Sequence, residues 1–186
     1  MIVRPAFEWP VVSVEPATPA SLYTSYIIPL AAIGPICAFV SNFVFLHHLV
    51  LGLVTGVLSF VLELAYVFVA AIIAQSLAPS FGGVSDRMAA LKWIAYSYTP
   101  RWIAGFALLI PLVGALVVLV ARLYSLYVLY LGAVPMMRVP QEKAGGYVVV
   151  DVLVLIVLGF LIGIVVGLAT VPFLMAGALS HAATSP

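Results

Sequence analysis

Charged residues are scarce in this sequence of 186 residues. Only 7% are Asp, Glu, Lys or Arg and 66% are hydrophobic, whereas about 25% of the residues in a typical soluble domain are charged. This composition excludes a soluble globular domain and indicates an integral membrane protein, whose constant partner is the lipid bilayer. The formal net charge of +1 gives no sign of a nucleic-acid partner, which requires a basic surface.

Cysteine, metal-ligand patterns and catalytic motifs are missing as well. The single Cys37 excludes an internal disulfide and a cysteine-based metal site. The adjacent His47 and His48 point to different sides of a helix, which does not favour a shared metal. Because we find no Ser/His/Asp set, no HExxH motif and no phosphate-binding loop, we expect no metal, no cofactor and no enzymatic activity. The first 20 residues hold four prolines and no apolar core, so we expect no cleavable signal peptide.

Long apolar runs fill most of the chain and predict an all-α integral membrane protein with five transmembrane helices. An α-helix rises 1.5 Å per residue, so about 20 apolar residues cross the roughly 30 Å hydrocarbon core. The predicted spans cover residues 23–46, 49–77, 88–110, 112–136 and 147–179. Residues 21–186 therefore form a single five-helix membrane domain.

The N-terminal segment, residues 1–20, is too polar and too rich in proline to span the membrane. It contains Phe7 and Trp9, and tryptophan favours the membrane–water interface. We therefore predict a short interfacial segment that lies on the membrane surface, with a disordered tail as the alternative.

The basic residues of the loops predict the orientation of the chain. They are Arg4 in the N-terminal segment, Arg87 and Lys92 around the second loop, and Arg138 and Lys143 in the fourth loop. The first loop, the third loop and the C-terminal tail contain no Lys or Arg. Because cytoplasmic loops are enriched in Lys and Arg, we predict that the N-terminus lies inside and the C-terminus outside.

Three ionisable residues, Glu63, Arg101 and Arg122, fall at a similar depth inside the predicted spans. A lone charge at that depth costs at least about 2.5–3.5 kcal/mol, so such groups pair or face water. We therefore expect Glu63 to lie within hydrogen-bond reach of at least one of the two arginines. The pattern fits either a substrate or proton site or an internal network that fixes helix packing. The predicted intramembrane polar cluster comprises Glu63, Arg101, Arg122, Ser59, Ser97 and Tyr127.

The fifth predicted span carries a stripe of glycines at i, i+4 and i+8, which are Gly159, Gly163 and Gly167. Such spacing lets two helix backbones approach closely in a membrane. The stripe fits packing inside the monomer, which we take as the simpler interpretation, or packing between copies in a homo-oligomer. Asp151 lies near the start of the same span, and we predict that it forms an interfacial ion pair with Arg138 or Lys143.

Four short motifs follow one another in order along the predicted spans. They are Trp9…Glu15…Tyr26-x-x-Pro29-Leu30, Tyr96-Ser97-x-Thr99-Pro100, Leu123-Tyr124-x-Leu126-Tyr127-x-Leu129-Tyr130-x-Gly132 and Val139-Pro140-x-x-Lys143-Ala144-x-Gly146-Tyr147. With these motifs the chain resembles the Yip family, five-span membrane proteins first known as partners of Rab-type small GTPases, and its prokaryotic branch in particular. The resemblance implies a Yip-type five-helix domain with a cytoplasmic N-terminus, located in a bacterial inner membrane. It implies no catalytic residues.

These observations lead to two functional hypotheses. The first is a non-enzymatic membrane protein that acts through helix-mediated self-association, partner or lipid interaction, in membrane organisation; the sequence does not identify a protein partner. The alternative is a small-solute or ion transporter or channel that uses the Glu63 cluster. Pro29, Pro35 and Pro100 would then supply the broken helices that transport sites use.

Overall fold

The computed structural model describes residues 4–46, 49–110 and 113–184, and within these ranges the chain is helical and contains no strand. Pro111, which lies between the third and fourth predicted spans, and the His47–His48 pair are outside the described residues. The α-helices are α1 Pro5–Val14, α2 Pro19–Leu22, α3 Ile28–Ala31, α4 Ile33–Leu46, α5 Leu49–Leu77, α6 Arg87–Ser97, α7 Thr99–Ile103, α8 Val113–Met137 and α9 Gln141–Thr184. A π-helical segment, Tyr23–Ile27, joins α2 to α3, and the 3₁₀ segments are Ala78–Phe81 and Ala104–Leu109.

Four helical stretches of the described chain are long and apolar enough to cross a membrane. They are Pro19–Ser41, Leu49–Phe81, Val113–Met137 and Gln141–Pro172. The segment predicted as the third span, residues 88–110, differs because it is not one continuous α-helix. It is divided into α6, α7 and a 3₁₀ segment, with the break at Tyr98. Pro100 explains the break, since proline has no N–H to donate and its ring clashes with the preceding turn.

The N-terminal helix α1 packs against α8 inside the protein. Trp9 has no exposed surface, and its Nε1 donates a hydrogen bond to the carbonyl oxygen of Val128 at 3.2 Å. Lys92 Nζ donates to the carbonyl oxygens of Val12, at 3.0 Å, and Glu15. The Trp9 ring lies against α8 at Gly132, and the position of residues 1–20 at the membrane–water interface stays a prediction.

Buried aromatic rings connect several helices in one part of the core. Trp93 and Tyr147 stack with ring centroids 5.3 Å apart. Trp93 Nε1 donates to the Leu129 carbonyl at 2.9 Å, and the Tyr147 hydroxyl donates to the Ala74 carbonyl at 2.8 Å. We call this region, which comprises Trp9, Trp93, Gly132, Met137 and Tyr147, the packed end.

Gly132 is the position that allows this packing. A Cβ atom there would lie 2.6 Å from the rings of both Trp9 and Trp93. Nonbonded carbon atoms do not approach that closely, so only glycine fits here without displacing an indole ring.

The loops that follow α5 and α8 meet at the packed end. The Val84 N–H donates to the Met137 carbonyl at 2.9 Å. Gly82 has a φ of 79° and ends the preceding 3₁₀ segment in the left-handed conformation that favours glycine. Asp86 then caps α6, because its carboxylate accepts hydrogen bonds from the N–H groups of Met88 and Ala89.

Candidate functional site

The contact predicted between Glu63 and an arginine is confirmed for Arg101. Glu63 lies near the middle of α5 and Arg101 lies in α7, and their side chains form a hydrogen-bonded ion pair. Trp102 Nε1 donates to the same Glu63 oxygen at 2.8 Å. The side chains of Arg101 and Glu63 are 21% and 24% exposed. The pair is therefore mostly withdrawn from the surface, and both charges are satisfied locally.

Two tyrosine rings complete the environment of Arg101. Its guanidinium carbon lies 4.3 Å from the centroid of the Tyr98 ring and 5.6 Å from that of Tyr66, within range of a cation–π interaction. The Tyr66 hydroxyl donates to the Leu155 carbonyl at 3.1 Å, which ties α5 to α9. Neither tyrosine was in the predicted cluster. A signal was present, because Tyr66 follows Glu63 by three residues and Tyr98 precedes Arg101 by three, so each pair shares a helix face.

Two cavities lie on either side of the ion pair. The larger, about 520 Å³, is bounded by α5, α7, α8 and α9, and the smaller, about 400 Å³, lies among α4, α5 and α8. Four residues line both cavities: Ser59, Glu63, Arg101 and Arg122. The polar side chains therefore form a wall shared by two spaces within the helical bundle.

The remaining predicted members of the cluster lie elsewhere. Tyr127 is 52% exposed and its ring is near that of Tyr124. Ser97 is fully buried, and its Oγ has no hydrogen-bond partner among the described residues. Neither side chain is part of the wall of the two cavities. Ser125 was not predicted, but it lines the larger cavity.

The glycine stripe of α9 is mostly open. A Cβ at Gly159 would meet Tyr66 at 3.9 Å, an ordinary contact, whereas a Cβ at Gly163 or Gly167 would meet nothing within 4 Å. Packing inside the monomer, the simpler interpretation of the stripe, is therefore wrong for Gly163 and Gly167. The reason is that Gly163 lines the larger cavity rather than a helix contact, and among the described residues no atom lies within 4 Å of a Cβ at Gly167.

The ion pair predicted for Asp151 does not form with Arg138 or Lys143. Asp151 has no exposed surface, and both carboxylate oxygens lack a hydrogen-bond partner within the described ranges. The physical reason is the length of α9, which begins at Gln141 rather than at the predicted residue 147. Lys143 is therefore about 12 Å from Asp151 along the helix axis, and Asp151 lies among packed side chains.

No group of three His, Cys, Asp or Glu side chains within the described residues could hold a metal ion.

The comparison with known families decides the identity of the fold: a family model for the Yip1 domain matches residues 1–164. The chain belongs to the Yip1 family. Neither a curated protein nor a solved structure gives a significant match.

Residues of the four motifs contact neighbouring helices within this Yip1 domain. The hydroxyl groups of Tyr26 and Thr99 are hydrogen-bonded at 2.6 Å, and the rings of Tyr26 and Tyr96 are 4.6 Å apart. Trp9 donates to the third motif at Val128, and Tyr147 of the fourth contacts Phe81 at 5.6 Å between ring centroids. These residues therefore help to hold the helices together.

Proposed function

We propose that this Yip1-family protein is a non-enzymatic membrane protein that acts through contacts of its helices within the bilayer, first of all with a second copy of itself. The observation that carries the proposal is the open face of α9 at Gly163 and Gly167. Large apolar side chains flank this face, with Phe160 and Leu168 each 69% exposed. Small residues at four-residue spacing allow a partner backbone to approach closely, and van der Waals packing then stabilises the pair.

We also propose five membrane crossings, and the loop geometry supports the fifth. The C-terminal ends of α5 and α8 lie beside each other, because the N–H of Val84, in the loop after α5, donates to the Met137 carbonyl at the end of α8. α8 has 25 residues and is therefore about 37 Å long. Because Arg87 lies near the end of α8 and Val113 is the start of α8, the segment between them has to cover the whole length of that helix. The contact of Arg101 with Glu63 lies part-way along this segment.

Five crossings would put the termini on opposite sides of the membrane. The basic residues support a cytoplasmic N-terminus. Arg4 precedes α1, Lys92 binds carbonyls at the end of α1, and Arg138 follows Met137, so all three lie near the packed end. We propose that the packed end faces the cytoplasm. With the resemblance to prokaryotic relatives, this suggests the bacterial inner membrane as the location of a multi-pass protein.

The transporter alternative gains no comparable support. The Glu63–Arg101 pair also contacts Trp102 and two tyrosine rings, and such a network fixes helix packing.

A matched pair of glycine substitutions in α9 tests self-association. Gly167→Leu fills the open face, and Gly145→Leu introduces the same side chain in the same helix at another glycine with nothing within 4 Å. Gly145 precedes Gly167 by 22 residues, about 33 Å along the helix. We expect single-molecule photobleaching in native membranes to show a dimer or larger assembly for wild type and Gly145→Leu, and a monomer for Gly167→Leu. A monomeric wild type, or an unchanged assembly of Gly167→Leu, contradicts the proposal.

A further inference from the structure

The polar site carries one surplus positive charge. Arg101 is paired with Glu63, whereas Arg122 forms no ion pair with any residue of the described ranges. Arg122 nevertheless lines both cavities. Charged groups within a membrane pair with an opposite charge or face water. Arg122 is therefore suited to an anion that enters the site from outside the protein.

A buried hydroxyl lies in the same wall. Ser125 is 4% exposed, lines the larger cavity, and its Oγ has no hydrogen-bond partner among the residues that the structure describes. It follows Arg122 by three residues in α8, so both side chains lie on one face of the helix. A buried polar atom is normally hydrogen-bonded. The wall of the cavity thus contains a cation and, about one helical turn away, a hydroxyl without a hydrogen-bond partner among the described residues.

The rest of the larger cavity is mostly apolar, and its rim is formed by exposed side chains of α8 and α9. Leu129 and Leu155 form buried parts of the wall. At the rim, Leu126 is 41% exposed and Phe160 is 69% exposed. Its volume of about 520 Å³ falls within the roughly 300–1,000 Å³ of small-molecule sites. The cavity is therefore continuous with the apolar surface of α8 and α9, which faces lipid in a membrane protein.

We propose that this cavity is a binding site for one anionic lipid. The oxyanion of the headgroup is held by Arg122 and by the Ser125 hydroxyl, and an acyl chain lies against the apolar wall between α8 and α9. Arg122 is nine residues from the start of α8, about 14 Å along the axis. The long arginine side chain extends from that depth toward the headgroups. The lipid site goes beyond self-association: it shares Phe160 and Gly163 with the face proposed for a second copy, whereas its polar groups, Arg122 and Ser125, belong to α8 and Gly167 lies outside the cavity.

Native mass spectrometry of the full chain released from lipid nanodiscs tests the proposal. The probes are phosphatidylglycerol, which is anionic, phosphatidylcholine, which has no net charge, and inorganic phosphate added to phosphatidylcholine nanodiscs. We expect one phosphatidylglycerol to be retained by the wild type. Arg122→Gln should retain it at least tenfold less, and Arg122→Lys should restore most of the retention. Arg4→Gln removes one exposed charge outside the cavity and serves as the matched control with unchanged retention.

Three results overturn the lipid site. They are equal phosphatidylglycerol retention by wild type and Arg122→Gln, equal retention of phosphatidylcholine and phosphatidylglycerol, and retention of inorganic phosphate by the wild type in phosphatidylcholine nanodiscs, which would identify a free oxyanion as the ligand. If Arg122→Gln does not fold, Ser125→Ala replaces it with an expected loss of severalfold, and unchanged retention again contradicts the proposal. Gly167→Leu should be monomeric and still retain the lipid, so the failure of one proposal is distinguishable from the failure of the other.

Discussion

The two ends of this Yip1-family protein are packed in different ways. At the packed end, the rings of Trp9, Trp93 and Tyr147 have no exposed surface, and each ring donates one hydrogen bond to a backbone carbonyl of a neighbouring helix. The rest of the bundle, which we call the open half, contains both cavities. Its α9 presents Gly163 and Gly167 to no neighbour.

We interpret this difference as a division between a part that holds the helices together and a part that is left accessible. Hydrophobic burial drives helix association weakly in lipid, so close packing and interhelical hydrogen bonds hold the helices together. The packed end combines both kinds of contact around rings with no exposed surface, so we expect it to contribute more to stability than the open half. The open half retains the surfaces and spaces that a second copy or a lipid could occupy. The predictions below test this division, starting with the largest expected effect.

Truncation of Trp9 should have the largest effect. Trp9→Ala removes a fully buried ring and its hydrogen bond to Val128, and we expect the free energy of unfolding to fall by about 3–5 kcal/mol. Phe7→Ala is the control, because Phe7 lies in the same helix and is 77% exposed. Unfolding in mixed detergent micelles measures both. Equal, small losses for the two variants would show that α1 is not part of the packed end.

Loss of the Glu63 charge should have the next largest effect, although the residue lies in the open half. Glu63→Gln leaves Arg101 without a counter-charge, which we expect to cost about 2–3 kcal/mol of unfolding free energy. A double-mutant cycle with Arg101→Gln isolates the pair. If the double variant is as unstable as the sum of the two single variants, the ion pair contributes no coupling energy and the site is not a unit.

A glycine-to-alanine comparison separates the two regions with the smallest possible side chain. Gly132→Ala places a Cβ 2.6 Å from two indole rings, and we expect a destabilisation of about 1–3 kcal/mol from overpacking. Gly163→Ala meets no neighbour, and we expect it to be neutral or stabilising by up to about 1 kcal/mol, since alanine favours the helix. Thermal unfolding of the purified variants checks the sign, and destabilisation by Gly163→Ala contradicts an open face.

The smallest predicted effect concerns a single hydroxyl. Tyr147→Phe removes the hydrogen bond to the Ala74 carbonyl but keeps the ring, which we expect to cost about 1 kcal/mol. Tyr130→Phe is the matched control because Tyr130 is 44% exposed. A stability of Tyr147→Phe equal to that of Tyr130→Phe would show that phenol–carbonyl bonds do not help to hold the packed end.

The sequence predicted those features that depend on local pattern and on depth. The predicted second span, residues 49–77, coincides with α5 because that apolar run contains no proline and no two adjacent glycines. The contact of Glu63 with Arg101 followed from counting residues, since unpaired charges at equal depth are costly.

Other features depend on which neighbour reaches a given face, and the sequence pattern does not contain that information. Trp9 suits both a membrane interface and a protein interior, so its burial against α8 required tertiary structure. The predicted pairing of Asp151 assumed that α9 begins at residue 147, and the earlier start at Gln141 removed it from its basic partners. The openness of Gly163 depends on the absence of an opposing helix among the described residues.

Photo-crosslinking with a diazirine analogue of methionine tests the division most directly, because one sample reports on both regions without a designed substitution. Met137 has no exposed surface at the packed end and its neighbour Met136 is 4% exposed, whereas Met175 in α9 is 62% exposed. Irradiation in native membranes, followed by mass spectrometry, should give adducts of Met175 with lipid or with a second copy. Met136 and Met137 should give links within the same chain. Comparable yields of lipid adducts at Met137 and at Met175 would contradict the account.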